Sequence, residues 1–280
     1  MANVGNELTD PKYNPIVLYV APHPDDEIWA GGYIFECIKK GCEVFVLLIT
    51  HGSGGYSSPD QRDEIEDIRF KEMVQSQKIL GFKLVNFYDY LSELDYSPEN
   101  ATAIDGKINP MNLYLKNGLV KVIRKIRPTT VLIPNKNDAH PDHRNAAEAV
   151  IDAIWRSERN FQLELGKPHT VPRVFQYEIT NLLEDPTHLI DITGEPWENV
   201  KKTMAVHKSQ IERDLGYQLV LNARTLIRGL GISGHLEINE ILNEDKENKT
   251  DSDKAITNYI ASKKAKRAEA LKATPLRKFW

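Results

Sequence analysis

Two short stretches of this chain concentrate side chains that bind metals and move protons. The first is His23-Pro24-Asp25-Asp26-Glu27, and the second is Asp138-Ala139-His140-Pro141-Asp142-His143. Together they hold eight carboxylate or imidazole groups, three of them histidines. Such a mixture suits a transition-metal ion, because magnesium and calcium prefer carboxylates, carbonyls and water. Zinc is the expected ion, with another divalent transition metal as the alternative. His23 and Asp26 are three residues apart, a spacing that brings two side chains to one face of a helical turn. A third ligand comes from His140 or His143, which leaves one tetrahedral position open, as in catalytic rather than structural zinc. Asp25 neighbours Asp26 but points elsewhere, so it is available as the base for a metal-activated water. The histidine not used as a ligand can serve as acid or oxyanion stabiliser. Asp142 can hydrogen-bond and orient a neighbouring histidine.

The elements around these stretches explain why they should meet. Ile16 to Ala21 and Glu43 to Thr50 are continuous apolar, β-branched runs that read as strands buried on both faces. Between them, Glu27 to Lys40 has helical periodicity and Gly41 stands where a helix ends, which makes a βαβ unit. The alternation continues with a helix at Asp63 to Leu80, a strand at Lys83 to Phe87, a helix at Leu113 to Lys125, a strand at Thr129 to Pro134 and a helix at Asn145 to Arg156. This predicts an α/β fold, a Rossmann-like doubly wound and mostly parallel sheet. Strands at Val171 to Glu178 and His188 to Ile192, then helices at Pro196 to Gly216 and Tyr217 to Leu230, complete its substrate side. In such sheets ligands bind outside the carboxyl ends of the strands, and both chemistry-bearing stretches follow strands there.

Composition bounds the rest. The chain has 280 residues, 41% of them apolar and 27% charged, enough for one large globular domain. No run approaches the ~18 apolar residues of a membrane span. A net charge of -4 gives no field to gather nucleic acid. Cys37 and Cys42 are too few for a disulfide framework and read as two buried thiols. Residues 1–14 are polar, without a signal-peptide pattern, and are expected to be a flexible N-terminus of a cytoplasmic protein. Residues 15–240 form the expected catalytic domain. Residues 241–280 read as a charged linker, poor in apolar residues from Asn243 to Lys254, followed by a basic tail from Lys263 to Arg277.

Ala21-Pro22-His23-Pro24-Asp25-Asp26-Glu27 and His140-Pro141-Asp142-His143-Arg144 resemble the two signature motifs of the PIG-L/LmbE-like zinc-dependent N-deacetylases. Arg69 and Glu72, Tyr88-Asp89 and His207-Lys208-Ser209-Gln210 resemble further segments of that family, so the likeness spans about residues 15 to 240. From Asp191 to Glu237 the chain is most similar to the archaeal diacetylchitobiose deacetylases. The resemblance implies that His23, Asp26 and His143 bind zinc, that Asp25 is the general base, and that His140 is the general acid or oxyanion stabiliser. It implies that Arg69 and Asp89 hold substrate hydroxyls or a sugar ring, and that the protein assembles as a trimer or hexamer. The reaction it implies is removal of the acetyl group from an N-acetylglucosamine-type sugar or glycoconjugate. A metal- or sugar-binding module without turnover and a zinc amidase for a thiol-conjugate amide are the alternatives. A tyrosine that some members carry two residues before the second motif is replaced by Asp138. The glycine-rich His51-Gly52-Ser53-Gly54-Gly55 also departs from the family pattern.

Three other features have structural readings. Gly31-Gly32 lacks the spacing of a dinucleotide fingerprint and points to close helix packing. Trp29 reads as core. His51 follows the second buried strand and is a candidate to line the substrate pocket.

Overall fold

The computed structural model describes residues 3–4, 6–183, 186–211 and 235–240. Among these, eight strands form one sheet: β1 (Asn3–Val4), β2 (Ile16–Ala21), β3 (Glu43–Leu48), β4 (Lys83–Asn86), β5 (Thr130–Pro134), β6 (Arg173–Tyr177), β7 (His188–Asp191) and β8 (His235–Glu240). Their order is β1-β7-β8-β6-β5-β2-β3-β4. The five strands from β6 to β4 are all parallel, while β8 runs antiparallel to both β6 and β7. This is the expected doubly wound α/β sheet with C-terminal strands added at one side. Strand order reverses between β2 and β5, so the crevice where a ligand belongs opens above those two strands. Val17 to Ala21 are 0% exposed, as an apolar run covered on both faces must be.

Among the described residues, seven α-helices flank the sheet: α1 (Gly31–Lys39), α2 (Ile65–Leu80), α3 (Phe87–Ser92), α4 (Leu113–Ile126), α5 (Pro141–Ser157), α6 (Glu195–Val206) and α7 (Lys208–Ile211). The helix expected from Glu27 starts instead as a 3-10 turn at Asp26–Ala30 and becomes α-helical only at Gly31. The close packing expected of Gly31-Gly32 is present, since a Cβ on Gly32 would lie 2.6 Å from Ile192 and one on Gly31 3.3 Å from Val200. The helix expected from Asn145 begins four residues earlier, at Pro141. Proline suits a first helical turn because its missing N–H has no partner there, and His140 caps that turn by accepting the Asp142 N–H on Nδ1 at 3.2 Å. His143 therefore stands on a helix rather than in a loop.

The third parallel strand of the expected pattern stops at Asn86, whose side chain accepts the Tyr88 N–H and starts α3. The N-terminal residues are not featureless: β1 pairs with β7, a 3-10 turn occupies Asn6–Thr9, and Leu8 is buried in the core with its carbonyl bonded to Asn14. Cys37 and Cys42 are free and buried, and Trp29 packs in the core. No described helix is long and apolar enough to cross a membrane. The helices expected after Ile211, the charged linker and the basic tail lie outside the described residues.

Candidate metal centre and active site

The turn after β2 is held in a conformation that L-residues rarely adopt. Asp25 has φ 115° and ψ -19°, a strain on the order of 1–3 kcal/mol that its surroundings must offset. Three contacts do so. Tyr19 Oη donates to the Asp26 carbonyl at 2.8 Å, the Asp26 carboxylate accepts the His23 N–H at 2.8 Å, and Glu27 Oε2 accepts the Asp25 N–H at 3.0 Å. The result places the Asp25 and Asp26 carboxylates on different partners.

Asp26 lies between two imidazoles. Its Oδ2 is 3.3 Å from His23 Nδ1 and its Oδ1 is 3.4 Å from His143 Nε2. Those separations are longer than a good N–H···O bond, but they match neighbouring ligands on a tetrahedral ion with bonds of about 2.0–2.2 Å. The far nitrogen of each imidazole is occupied by a carboxylate, with His23 Nε2 at 3.1 Å from Asp142 Oδ2 and His143 Nδ1 at 2.9 Å from Asp138 Oδ1. A ligating histidine is commonly anchored in this way, which fixes its tautomer and turns the free lone pair inward. The electrostatics agree. Burial works against both charges, yet contacts with carboxylates raise the proton affinity of His23 well above its usual value and that of His143 to about 9. Burial would raise the Asp26 pKa, but His143 and His23 hold it well below the usual carboxylate range. A field that favours positive charge at this point favours a divalent cation. The donor set therefore fits a metal.

His140 completes the cluster. Donor atoms of His23, His140 and His143 lie within 4.8 Å of one another, as do those of His23, Asp105 and Asp142. Burial, then the neighbouring imidazoles His23 and His143, lower the proton affinity of His140, so it is the neutral ring of the three. With Nδ1 accepting the Asp142 N–H, its proton sits on Nε2.

Arg69 does not stand free for a substrate. It is 4% exposed, its Nη2 lies 3.1 Å from Asp25 Oδ1 and donates to the Pro24 carbonyl at 2.6 Å, and Nη1 donates to the Gly52 carbonyl at 3.1 Å. The glycine-rich segment after β3 is shaped by this side chain. A Cβ at Gly52, where φ is +73°, would lie 2.4 Å from Arg69 Nη1, and one at Gly55 would lie 2.3 Å from it. Burial pushes the Asp25 carboxyl up to about 6, against the opposing pull of Arg69.

The other two residues expected to touch substrate contact partners outside this cluster. His51 stacks on Tyr88 with ring centres 4.1 Å apart and contacts Asn86 Oδ1 through Nε2 at 3.0 Å. Asp89 is exposed on the first turn of α3, 3.4 Å from the Asn86 amide. Sequence reasoning counted Asp138 and Glu27 in the two stretches without giving them roles, and it missed Asp105. Asp138 orients His143 while accepting the Thr180 and Asn181 N–H groups. Asp105 lies 3.4 Å from His23 Nε2 and accepts the Gly54 N–H. Glu27 pairs with His207 at 2.6 Å. Asp138 opens the second stretch at a strand end, and that position marked it as a candidate; Asp105, in a long connection, carries no such mark.

A buried carboxylate between two anchored imidazoles, with a second carboxylate and a neutral imidazole beside them at a parallel-sheet switch point, fits a metal-dependent hydrolase. Residues 18–154 match the family model described as PIG-L, GlcNAc-PI de-N-acetylase. The chain is 31% identical over 231 residues to the diacetylchitobiose deacetylase of Thermococcus kodakarensis, covering 78% of this chain and 79% of that one. It is 26% identical to a probable N-acetyl-alpha-D-glucosaminyl L-malate deacetylase 2 of Bacillus cereus, over 59% of this chain and 80% of the relative. This protein belongs to the PIG-L family. Among solved structures, the N,N'-diacetylchitobiose deacetylase of Pyrococcus horikoshii shares the fold with a TM-score of 0.67 at 24% identity, covering 85% of this chain and 87% of that one. A 4-carboxy-2-hydroxymuconate hydratase of Pseudomonas putida shares it with a TM-score of 0.63 at 20% identity, covering 83% and 98%.

Proposed function

We propose that this chain removes the acetyl group from an N-acetylglucosamine-type sugar or glycoconjugate by metal-dependent hydrolysis, giving acetate and a free amine. The observation that carries the reading is Asp26 set between His23 and His143, each imidazole anchored on its far side by a carboxylate. The names of the relatives support the substrate class. Likeness of fold would not be enough, because a hydratase shares it.

In this reading His23, Asp26 and His143 hold the ion, and zinc bound there supplies a Lewis acid that acidifies water and polarises the amide carbonyl. Asp25 takes the proton of the attacking water. Arg69 occupies its Oδ1, which leaves Oδ2 to receive that proton. The oxygen nucleophile adds to the carbonyl carbon, and His140 donates its Nε2–H to the developing oxyanion. A neutral His140 suits this donor role better than that of a general acid, so Asp25 returns its proton to the departing nitrogen as the C–N bond breaks. Arg69 acts here by holding Asp25 rather than by gripping a sugar. His51 and Asp89 remain, in this reading, the side chains that contact the sugar.

Zinc as the native ion, a cytoplasmic location and a trimer or hexamer belong to the same proposal. Free buried thiols support a reducing compartment, and the family resemblance supports self-association. Metal analysis, cell fractionation and light scattering test these in turn. The decisive experiment measures acetate release from mono-, di- and lipid-linked N-acetylglucosamine, with wild type beside Asp25→Asn and beside chelator-treated protein. Release that vanishes in both controls supports the reading. Bound metal with no acetate from any sugar overturns it in favour of a thiol-conjugate amide or a binding role.

A further inference from the structure

Next to Asp25 lies a carboxylate–imidazole pair sealed from solvent. His207 Nε2 is 2.6 Å from Glu27 Oε1, and both side chains are 0% exposed. The partners are 180 residues apart, one in the turn after β2 and the other in the break between α6 and α7. His207 Nδ1 has no hydrogen-bond partner and faces the Glu72 carboxylate at 4.0 Å. Glu72 is itself held by the N–H and hydroxyl of Ser209, and Gln210 donates to the Gly55 carbonyl at 2.9 Å. A fully buried ion pair is a poor means of gaining stability, since apolar side chains of similar volume do as well or better. Its retention needs another reason.

The second oxygen of Glu27 supplies one. Glu27 Oε2 accepts the Asp25 N–H at 3.0 Å, and that bond holds a residue whose φ is 115°. We infer that Glu27 and His207 form a positioning pair, in which His207 aims the Glu27 carboxylate so that it fixes the Asp25 backbone in its left-handed conformation and so sets the direction of the Asp25 carboxylate. Glu27 offers one oxygen to each partner, so the His207 contact on Oε1 restricts the carboxylate rotation that would take Oε2 off the Asp25 N–H. Arg69 grips the Asp25 side chain while Glu27 grips its backbone, and the two constraints together define one orientation. Burial disfavours the charged imidazole, but the Glu27 carboxylate outweighs it and raises the proton affinity of His207. This inference rests on the reading of Asp25 as the base.

The test replaces the pair by apolar side chains, Glu27→Leu with His207→Leu, which removes both charges together and so leaves neither stranded. A displacement of a reacting group by about 1 Å costs on the order of 10²-fold in rate. The expected result is kcat lower by ~10²-fold, KM within about threefold of wild type, and an unchanged metal content per folded chain. A crystal structure of that variant should show Asp25 out of the positive-φ region. A second variant, His207→Gln, keeps the volume and a donor toward Glu27 and guards against failure of the first to fold. It should lose about tenfold in kcat per metal-loaded molecule, the share of the misplacement effect left when the charge-assisted contact is weakened. A merely structural role would lower the melting temperature and leave kcat of the folded, metal-loaded protein unchanged in both variants, and that outcome overturns the inference. Asp25→Asn is run alongside. If it retains activity, the base assignment itself has failed; if it is inactive while the pair variants are fully active, only the positioning role has failed.

Discussion

Replacing Arg69 by Met separates two roles that the same residue could play. Met keeps an unbranched stem of similar reach and removes the guanidinium. In the structure that guanidinium is buried, 3.1 Å from Asp25 Oδ1, and it also satisfies the Pro24 and Gly52 carbonyls. Removing one member of a buried pair leaves the other charge uncompensated and costs about 3–5 kcal/mol. For a domain of this size each kcal/mol shifts Tm by about 2–4 °C, so the fall should be ~6–20 °C. The measurement is a thermal melt of metal-saturated protein beside steady-state acetate release. With Asp25 released from Oδ1, kcat should fall with Tm. A residue that only grips sugar would instead raise KM and leave Tm alone, because its partners would be absent from the free enzyme. A variant within about 2 °C of wild type, which is under 1 kcal/mol, with an elevated KM would refute the argument.

The other consequences are narrower. Asp138→Asn keeps the shape but weakens the anchor on His143 Nδ1, and metal affinity measured by chelator competition should drop about 10–100-fold. Removing the metal should abolish turnover and lower stability by about 2.7 kcal/mol relative to protein held at a hundredfold excess over Kd, read by calorimetry. Gly52→Ala places a methyl 2.4 Å from Arg69 Nη1 at a positive φ and should destabilise by about 1–3 kcal/mol, whereas Gly106→Ala, with φ +74° but nothing within 4 Å, should cost only the backbone strain. His169 donates to the Pro128 carbonyl at 2.7 Å, and burial lowers its proton affinity below 6.5. The unfolded chain then binds the extra proton first, so stability falls as pH drops below 6.5, and His169→Gln should flatten that part of the curve.

Much of this was legible because period and punctuation agreed with the tertiary structure. Val17 to Ala21 has no polar alternation, and only a strand covered on both faces tolerates that. Gly81 ends its helix at φ +88°, as a glycine after an apolar-periodic run should. The two histidine-rich stretches follow strands that proved to be neighbours, so their meeting could be inferred from topology alone. What escaped depended on contacts with no local signal. The family resemblance gives Arg69 a substrate role, and only the glycines that close around it reveal that it is buried. Asp105 reaches His23 from a connection whose length gives no geometric constraint. The start of α5 was misplaced because Pro141 reads as a breaker when it is the first helical residue, with His140 as the cap.

The placement of the site follows from what each half of the crevice can provide. The turn after β2 contributes His23 just before a 3-10 turn and Asp26 at its start, with a strained Asp25 between them. The start of α5 contributes His143 from a regular helix, braced by an aspartate from the β5 end. One side is rigid by secondary structure and the other only by its hydrogen bonds. Beyond the local bonds from Asp26 to the His23 N–H and from Glu27 to the Asp25 N–H, the strained side is restrained by other elements: Arg69 from α2, Tyr19 from β2, Asp105 and Asp142 around His23, and His207 from beyond α6 through Glu27. Substitutions in those distant elements should therefore act on Asp25 and His23 while leaving His143 in place. The asymmetry is measurable, because variants of α2 and of the α6–α7 break should lose turnover before they lose metal, and variants of Asp138 should lose metal first.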